Sequence, residues 1–261
     1  MLLKFAYDGT KFHGFQRQLD EITVEGEIIK VLKKFGYDTD IKSASRTDRG
    51  VSALGNVIKI NADDPERLIG ILNSHLKHIY FYGYSEMDVN PRHAIMRWYR
   101  YHLPDFGYDM ERMQNCANVF IGEHDFRHFT KEKEKTVLSI YSINVQKFCN
   151  VIAVDFKAQR YVWNLIRRIV AAIIKCAEGV KFDDDIFEKP NNFGLAPPEP
   201  LILMDVKYGF PFKTINSKRK VKERFFLDFS SKLVYFYLFS EMPEAKAEDM
   251  QNLKTLNTRF Q

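Results

Sequence analysis

The chain has 261 residues, 45% of them apolar, and its 39 Lys and Arg against 34 Asp and Glu give a net charge of +5. That is enough apolar sequence for the core of one large domain or two modest ones, and no uninterrupted apolar run is long enough to span a bilayer. The start Met1-Leu2-Leu3-Lys4-Phe5 is charged too soon for a signal peptide, which points to the cytoplasm, and three distant cysteines, Cys116, Cys149 and Cys176, predict reduced, packed thiols with neither a disulfide framework nor a thiolate metal site.

Residues 2–7 read as a strand. Thr23 caps a helix whose apolar positions Val24, Ile28, Ile29, Leu32 and Phe35 recur at helical spacing until Gly36 ends it. Strands at 39–44 and 54–61 then flank a glycine-containing loop, Pro65 opens a second helix through His75, and 79–84 reads as another strand. From Trp98 the same order returns: a strand to Leu103, a helix over 109–120, strands over 137–148 and 151–156, a long helix over 161–177, and a strand over 201–208. The repeat is one of pattern, not of residues. It predicts an α+β fold of two split β-α-β, ferredoxin-like halves, each a mainly antiparallel sheet with helices on one face, spanning 1–95 and 96–240 with a polar tail over 241–261. The short join at 88–95 is expected to pack the two sheets against each other around a positively charged cleft. A loop with Pro190, Pro197, Pro198 and Pro200 follows, then a basic run over 218–224 read as a solvated loop, and an aromatic strand pattern over 225–239.

Basic side chains interleave with aromatics in Lys11-Phe12-His13-Gly14-Phe15-Gln16-Arg17, in Arg97-Trp98-Tyr99-Arg100-Tyr101, and in Arg160-Tyr161-Val162-Trp163 ahead of Arg167-Arg168. That mixture suits phosphate neutralisation with base stacking, and equally a surface where Lys and Arg stems cover aromatic edges. The segment Ser45-Arg46-Thr47-Asp48-Arg49-Gly50-Val51-Ser52-Ala53 lies between two predicted strands and sets Asp48 between two arginines, which favours its ionised form, ahead of a glycine free to take positive φ. Alone, it reads most simply as an Asx-type turn with a surface ion pair. His124 and His128 have the i,i+4 spacing of a metal pair, yet lack an obvious third ligand, so no metal is predicted. The cluster Asp183-Asp184-Asp185 looks like a turn at a helix start.

The Asp48 segment resembles the Gly-Arg-Thr-Asp-x-Gly-Val-His-Ala signature of the tRNA pseudouridine synthase A family, with Arg46, Thr47, Asp48, Gly50, Val51 and Ala53 matching. Three further stretches are similar to that family in the same order. They are Tyr7-Asp8-Gly9-Thr10-Lys11-Phe12-His13-Gly14-Phe15-Gln16-Arg17-Gln18; Asn90-Pro91-Arg92 leading to Arg97-Trp98-Tyr99-Arg100-Tyr101; and Gly122-Glu123-His124-Asp125-Phe126 with Phe129. Four collinear motifs carry far more than one. Departures at Ser45, Ser52, Trp163-Asn164 and Pro198-Glu199-Pro200-Leu201 suggest an archaeal-type member.

The resemblance implies isomerisation of uridine to its carbon-linked isomer at one or more of positions 38, 39 and 40 in the anticodon arm of tRNA, by homodimers, with no cofactor and no metal. It assigns the essential carboxylate to Asp48, as nucleophile or base. Arg46 becomes the arginine beside it, able to fill the gap left by an extruded base, Tyr99 the active-site tyrosine, and Arg167 the helix arginine that reaches the carboxylate. The candidates for tRNA contact are Lys11, His13, Phe15, Gln16, Arg17, Gln18, Arg49, Arg92, Arg97, Tyr101 and His124. Tyr101 also reads as packing, and His124 as loop packing. Two other readings compete: a non-catalytic RNA-binding protein on the same paired sheets, which would not need Asp48, Arg46 and Tyr99 together, and a metal-assisted nuclease, which would need clustered carboxylates.

Overall fold

A computed structural model describes residues 1–182 and 185–215. The expected basic run over 218–224, the strand pattern over 225–239, the tail, and Asp183 and Asp184 lie outside the described residues.

The first half runs β1 (Leu2–Tyr7), α1 (Val24–Lys34), β2 (Lys42–Ser43), β3 (Ser52–Lys59), α2 (Pro65–His75) and β4 (Ile79–Ser85). Its helices start where capping chemistry puts them. Thr23 Oγ1 accepts from the amide of Gly26 at 3.2 Å, and Asp64 Oδ1 from that of Arg67 at 3.0 Å with Pro65 in the first turn. In β1 the alternation buries Leu3, Phe5 and Tyr7 on one face, where Phe5 stacks on Phe81 with centroids 4.8 Å apart.

The second half runs β5 (Met96–Pro104), α3 (Met110–Asn118), β6 (Gly122–Asp125), β7 (Val137–Phe148), β8 (Val151–Ala158), α4 (Leu165–Ala177) and β9 (Leu201–Lys207), followed by a short β10 (Lys213–Thr214) against β4. The helix expected from residue 161 begins at Leu165, because Asn164 takes the left-handed conformation with φ 61° and breaks the run. Residues 161–163 therefore form a loop.

The expected α+β architecture with a mostly antiparallel sheet is borne out. The joint between its halves differs from expectation: one continuous sheet, ordered β10-β4-β1-β3-β9-β5-β8-β7-β6 with β2 beside β3, replaces two sheets packed on each other. The halves meet edge to edge through a short parallel pairing of β3 with β9, Ser52 opposite Ile202 and Ala53 opposite Leu203. Since β9 also pairs with β5, with Leu203 opposite Tyr99, the end of the Asp48 loop is carried to the strand that bears Tyr99.

The reading of three reduced cysteines is corrected. Cys116 on α3 and Cys176 on α4 are joined in a disulfide, with Cα atoms 6.2 Å apart, because these two helices pack side by side on the second half of the sheet. Cys149 is free and exposed in the turn between β7 and β8. Among the described residues no helix is long and apolar enough to cross a membrane.

Candidate active site

The loop between β2 and β3 is fixed from below. The phenol of Tyr7 and the hydroxyl of Thr47 share a buried hydrogen bond of 2.8 Å, and Asn56 Nδ2 donates to the carbonyl of Ser45 at 3.0 Å. From the side, the amide of Phe15 donates to the carbonyl of Thr47 at 3.0 Å. Gly14, at φ 100°, lets the chain pass so close that a Cβ would lie 3.3 Å from the amide nitrogen of Arg49. Gly50, at φ 84°, turns the loop into β3 after the amide of Val51 bonds back to the carbonyl of Asp48 at 3.2 Å. Buried polar groups satisfied in this way hold one geometry.

Asp48 stands half-buried on this platform. Arg167 Nη1 approaches its Oδ2 at 3.4 Å, and Trp163 Nε1 donates to its Oδ1 at 3.1 Å. Arg167, in the first turn of α4, is itself held: Nε donates to the carbonyl of Ala196 at 2.6 Å and Nη1 to Asn164 Oδ1 at 3.1 Å. The expected pairing of the carboxylate with an arginine of the long helix is thus seen, made by Arg167. Arg46 stays exposed on the cavity wall. Tyr99 is buried, its ring edge-on to Tyr161 with centroids 5.3 Å apart. Burial pushes its phenol above the usual range, partly offset by the positive charge of Arg97 and a hydrogen bond with Ser45, so it stays protonated and able to donate through neutral pH.

These groups line an open cavity of about 880 Å³. Of the candidates named from the sequence, Asp48, Arg46, Tyr99, Arg167, His13, Gln16, Gln18 and Arg49 line it together, with Phe15 contributing only from a fully buried position. His13 faces Glu21 at 3.0 Å, and Gln18 Nε2 donates to the carbonyl of His13 at 2.9 Å, bracing the rim.

The remaining candidates for tRNA contact stand in the interior or elsewhere on the surface. Phe15 is a core residue, its ring against Phe5 and Tyr7, since a large apolar side chain gains more from the core than from a wet rim. Arg97 is buried: its guanidinium donates to the carbonyls of Ala44 at 2.8 Å, Arg92 at 3.1 Å and Gln159, and to Ser45 Oγ at 3.1 Å, so it binds strand to loops and is not displayed to a ligand. Tyr101, also buried, donates to the carbonyl of Pro197 at 2.9 Å. His124 stacks on Phe187 with centroids 4.1 Å apart, and the neighbouring Asp125 is bonded to Arg127 and Thr136, which holds its carboxyl down at about 2. Lys11, Arg17 and Arg92 are exposed but do not line the cavity. Trp163, Tyr161, Glu132 and Glu199 line it without having been singled out as site residues. For Trp163 the available signal was an aromatic residue four positions before the helix arginine.

The curated relatives of this chain include tRNA pseudouridine synthases. A model described as tRNA pseudouridine synthase matches residues 116–209. The chain is 41% identical over 253 residues to a protein of Pyrococcus furiosus named tRNA pseudouridine synthase A, covering 89% of this chain and 95% of that one. It is 44% identical over 241 residues to a protein of the same name from Thermococcus sibiricus, covering 85% and 91%. Among solved structures, a chain of an archaeal box H/ACA sRNP Nop10-Cbf5 complex is similar at a TM-score of 0.35 and 11% identity, over 65% of this chain and 42% of that one.

Proposed function

The chain belongs to the tRNA pseudouridine synthase A family, and from that premise we propose that it isomerises uridines at one or more of positions 38, 39 and 40 of the tRNA anticodon arm, with Asp48 as the essential carboxylate. The reaction breaks the bond between N1 and C1′, turns the uracil over, and joins C5 to C1′. The proton on C5 leaves, N1 gains one, and no redox equivalent or water is consumed.

The observation that carries this reading is the Asp48 carboxylate standing in an open cavity, held by Arg167 at 3.4 Å, with Tyr99 on the same cavity wall. A carboxylate fixed by a cation and left partly open suits attack on the sugar or removal of a proton from it. Tyr99, protonated and aromatic, suits stacking on the flipped uracil and passage of the C5 proton late in the reaction. Exposed Arg46 suits the gap that the extruded base leaves in the helix. A tRNA arm is larger than this cavity, so the RNA lies across its rim, where Gln16, Gln18 and Arg49 stand, and a homodimer supplies the rest of the groove.

Incubation of the purified protein with unmodified tRNA transcripts in the presence of EDTA, followed by mapping of pseudouridine, tests the reading. Pseudouridine confined to positions 38, 39 and 40 is expected. Pseudouridine elsewhere only refutes the position, and none in any transcript refutes the activity.

A further inference from the structure

Trp163 is the least expected group at the site. It is 48% exposed, although an indole is among the most apolar surfaces a protein can bury. Its position is nevertheless tightly set. Its amide donates to Glu132 Oε1 at 2.6 Å, its carbonyl accepts from Thr130 Oγ1 at 3.0 Å, and the next residue, Asn164, is held in the left-handed conformation. Asparagine takes that conformation readily, so the turn that presents Trp163 ahead of α4 is set at little cost. The outcome is an indole N–H aimed at Asp48 Oδ1 at 3.1 Å, with Lys131 Nζ 5.8 Å from the ring centroid.

We propose that Trp163 is both a positioning residue for Asp48 and a stacking site for a nucleobase of the substrate RNA beside the flipped uridine. With Arg167 on Oδ2 and Trp163 on Oδ1, the two donors fix the rotation of the carboxylate, so an attacking or proton-accepting lone pair has one direction. The exposed indole is a platform on which any base can stack, and Lys131 beside it suits that nucleotide's phosphate. The inference rests on the pseudouridine synthase reading.

Trp163→Phe keeps a ring and deletes the donor, whereas Trp163→Ala deletes both. Single-turnover pseudouridine formation and RNA affinity separate the roles, with thermal midpoints checking that each variant is folded. Trp163→Phe is expected to lower the single-turnover rate about tenfold with RNA affinity within twofold, the size of one hydrogen bond to a charged group. Trp163→Ala should in addition weaken RNA binding about fivefold to thirtyfold. In the RNA-free protein, the Trp163 indole ¹H resonance should move upfield in Asp48→Asn, as a hydrogen bond to a charged acceptor weakens to one with a neutral amide. A wild-type rate in Trp163→Phe, or an unmoved resonance, overturns the positioning role. Wild-type affinity in Trp163→Ala overturns the stacking role. A wild-type protein that makes no pseudouridine is a separate result, which takes down the functional reading and this inference with it.

Discussion

Replacement of Arg97 by Met should cost stability and leave the salt dependence of RNA binding unchanged. Arg97 sits in the run Arg97-Trp98-Tyr99-Arg100-Tyr101, which reads from sequence as an RNA-binding stretch, but it points to the buried side of β5. Removing the guanidinium strands the carbonyls of Ala44, Arg92 and Gln159 and the hydroxyl of Ser45. The Ala44 carbonyl and the Ser45 hydroxyl are buried and cost about 1–3 kcal/mol each when left unsatisfied, whereas the Arg92 and Gln159 carbonyls are partly open to water. Methionine of similar length removes the desolvation of a charge and partly offsets that loss, so a net destabilisation of roughly 1–4 kcal/mol is expected. Urea unfolding of wild type and Arg97→Met gives the stability difference, and RNA affinity across a salt series gives the count of phosphate contacts. A difference below about 0.5 kcal/mol, together with a salt slope shallower by about one, would refute the structural role and restore Arg97 as a phosphate ligand.

Arg167→Lys keeps the charge but loses the planar fork that serves Ala196, Asn164 and Asp48 together, so single-turnover pseudouridine formation should fall at least about tenfold with RNA affinity nearly unchanged; equal loss of both would move Arg167 to substrate binding. The disulfide between Cys116 and Cys176 spans 60 residues, and opening it with dithiothreitol should lower the unfolding free energy by about 2–4 kcal/mol; an unchanged urea midpoint would refute that contribution. Burial raises the phenols of Tyr7, Tyr99 and Tyr161, so above pH about 10 the unfolded chain loses protons that the folded chain keeps. Stability should therefore be independent of these groups below that pH and fall above it, by about 1.4 kcal/mol per pH unit for each tyrosine, with Tyr161→Phe removing one share of the slope in urea titrations at alkaline pH.

Much of the fold was legible because its signals are local. Thr23, Asp64 and Asp109 cap helices where the pattern puts them, and period-two burial marks β1 and β5. What escaped is non-local or weak in composition. The edge strand β6 is the polar stretch Gly122-Glu123-His124-Asp125, which offers no apolar alternation. The parallel joint of β3 and β9 brings together Ala53 and Leu203 from opposite ends of the described chain, and the disulfide depends on how α3 and α4 pack. At the site, the motifs around Asp48, Tyr99 and Arg167 indicated residues that line one cavity. They did not separate display from burial. The alternation along β5 places Arg97 and Tyr101 on the same face as Tyr99, with Trp98 and Arg100 on the other, and for Arg97 and Tyr101 that face is the protein interior. Trp163 lies outside regular structure, in the loop before α4, where no periodicity could announce it.

Everything proposed for the site turns on Asp48 as the carboxylate that carries the chemistry. The most direct test compares Asp48→Asn with wild type on the same unmodified tRNA, measuring binding and pseudouridine formation in parallel. Asp48→Asn should bind the tRNA within a few-fold of wild type and form no pseudouridine. Pseudouridine formation by Asp48→Asn at a rate near that of wild type would contradict that role.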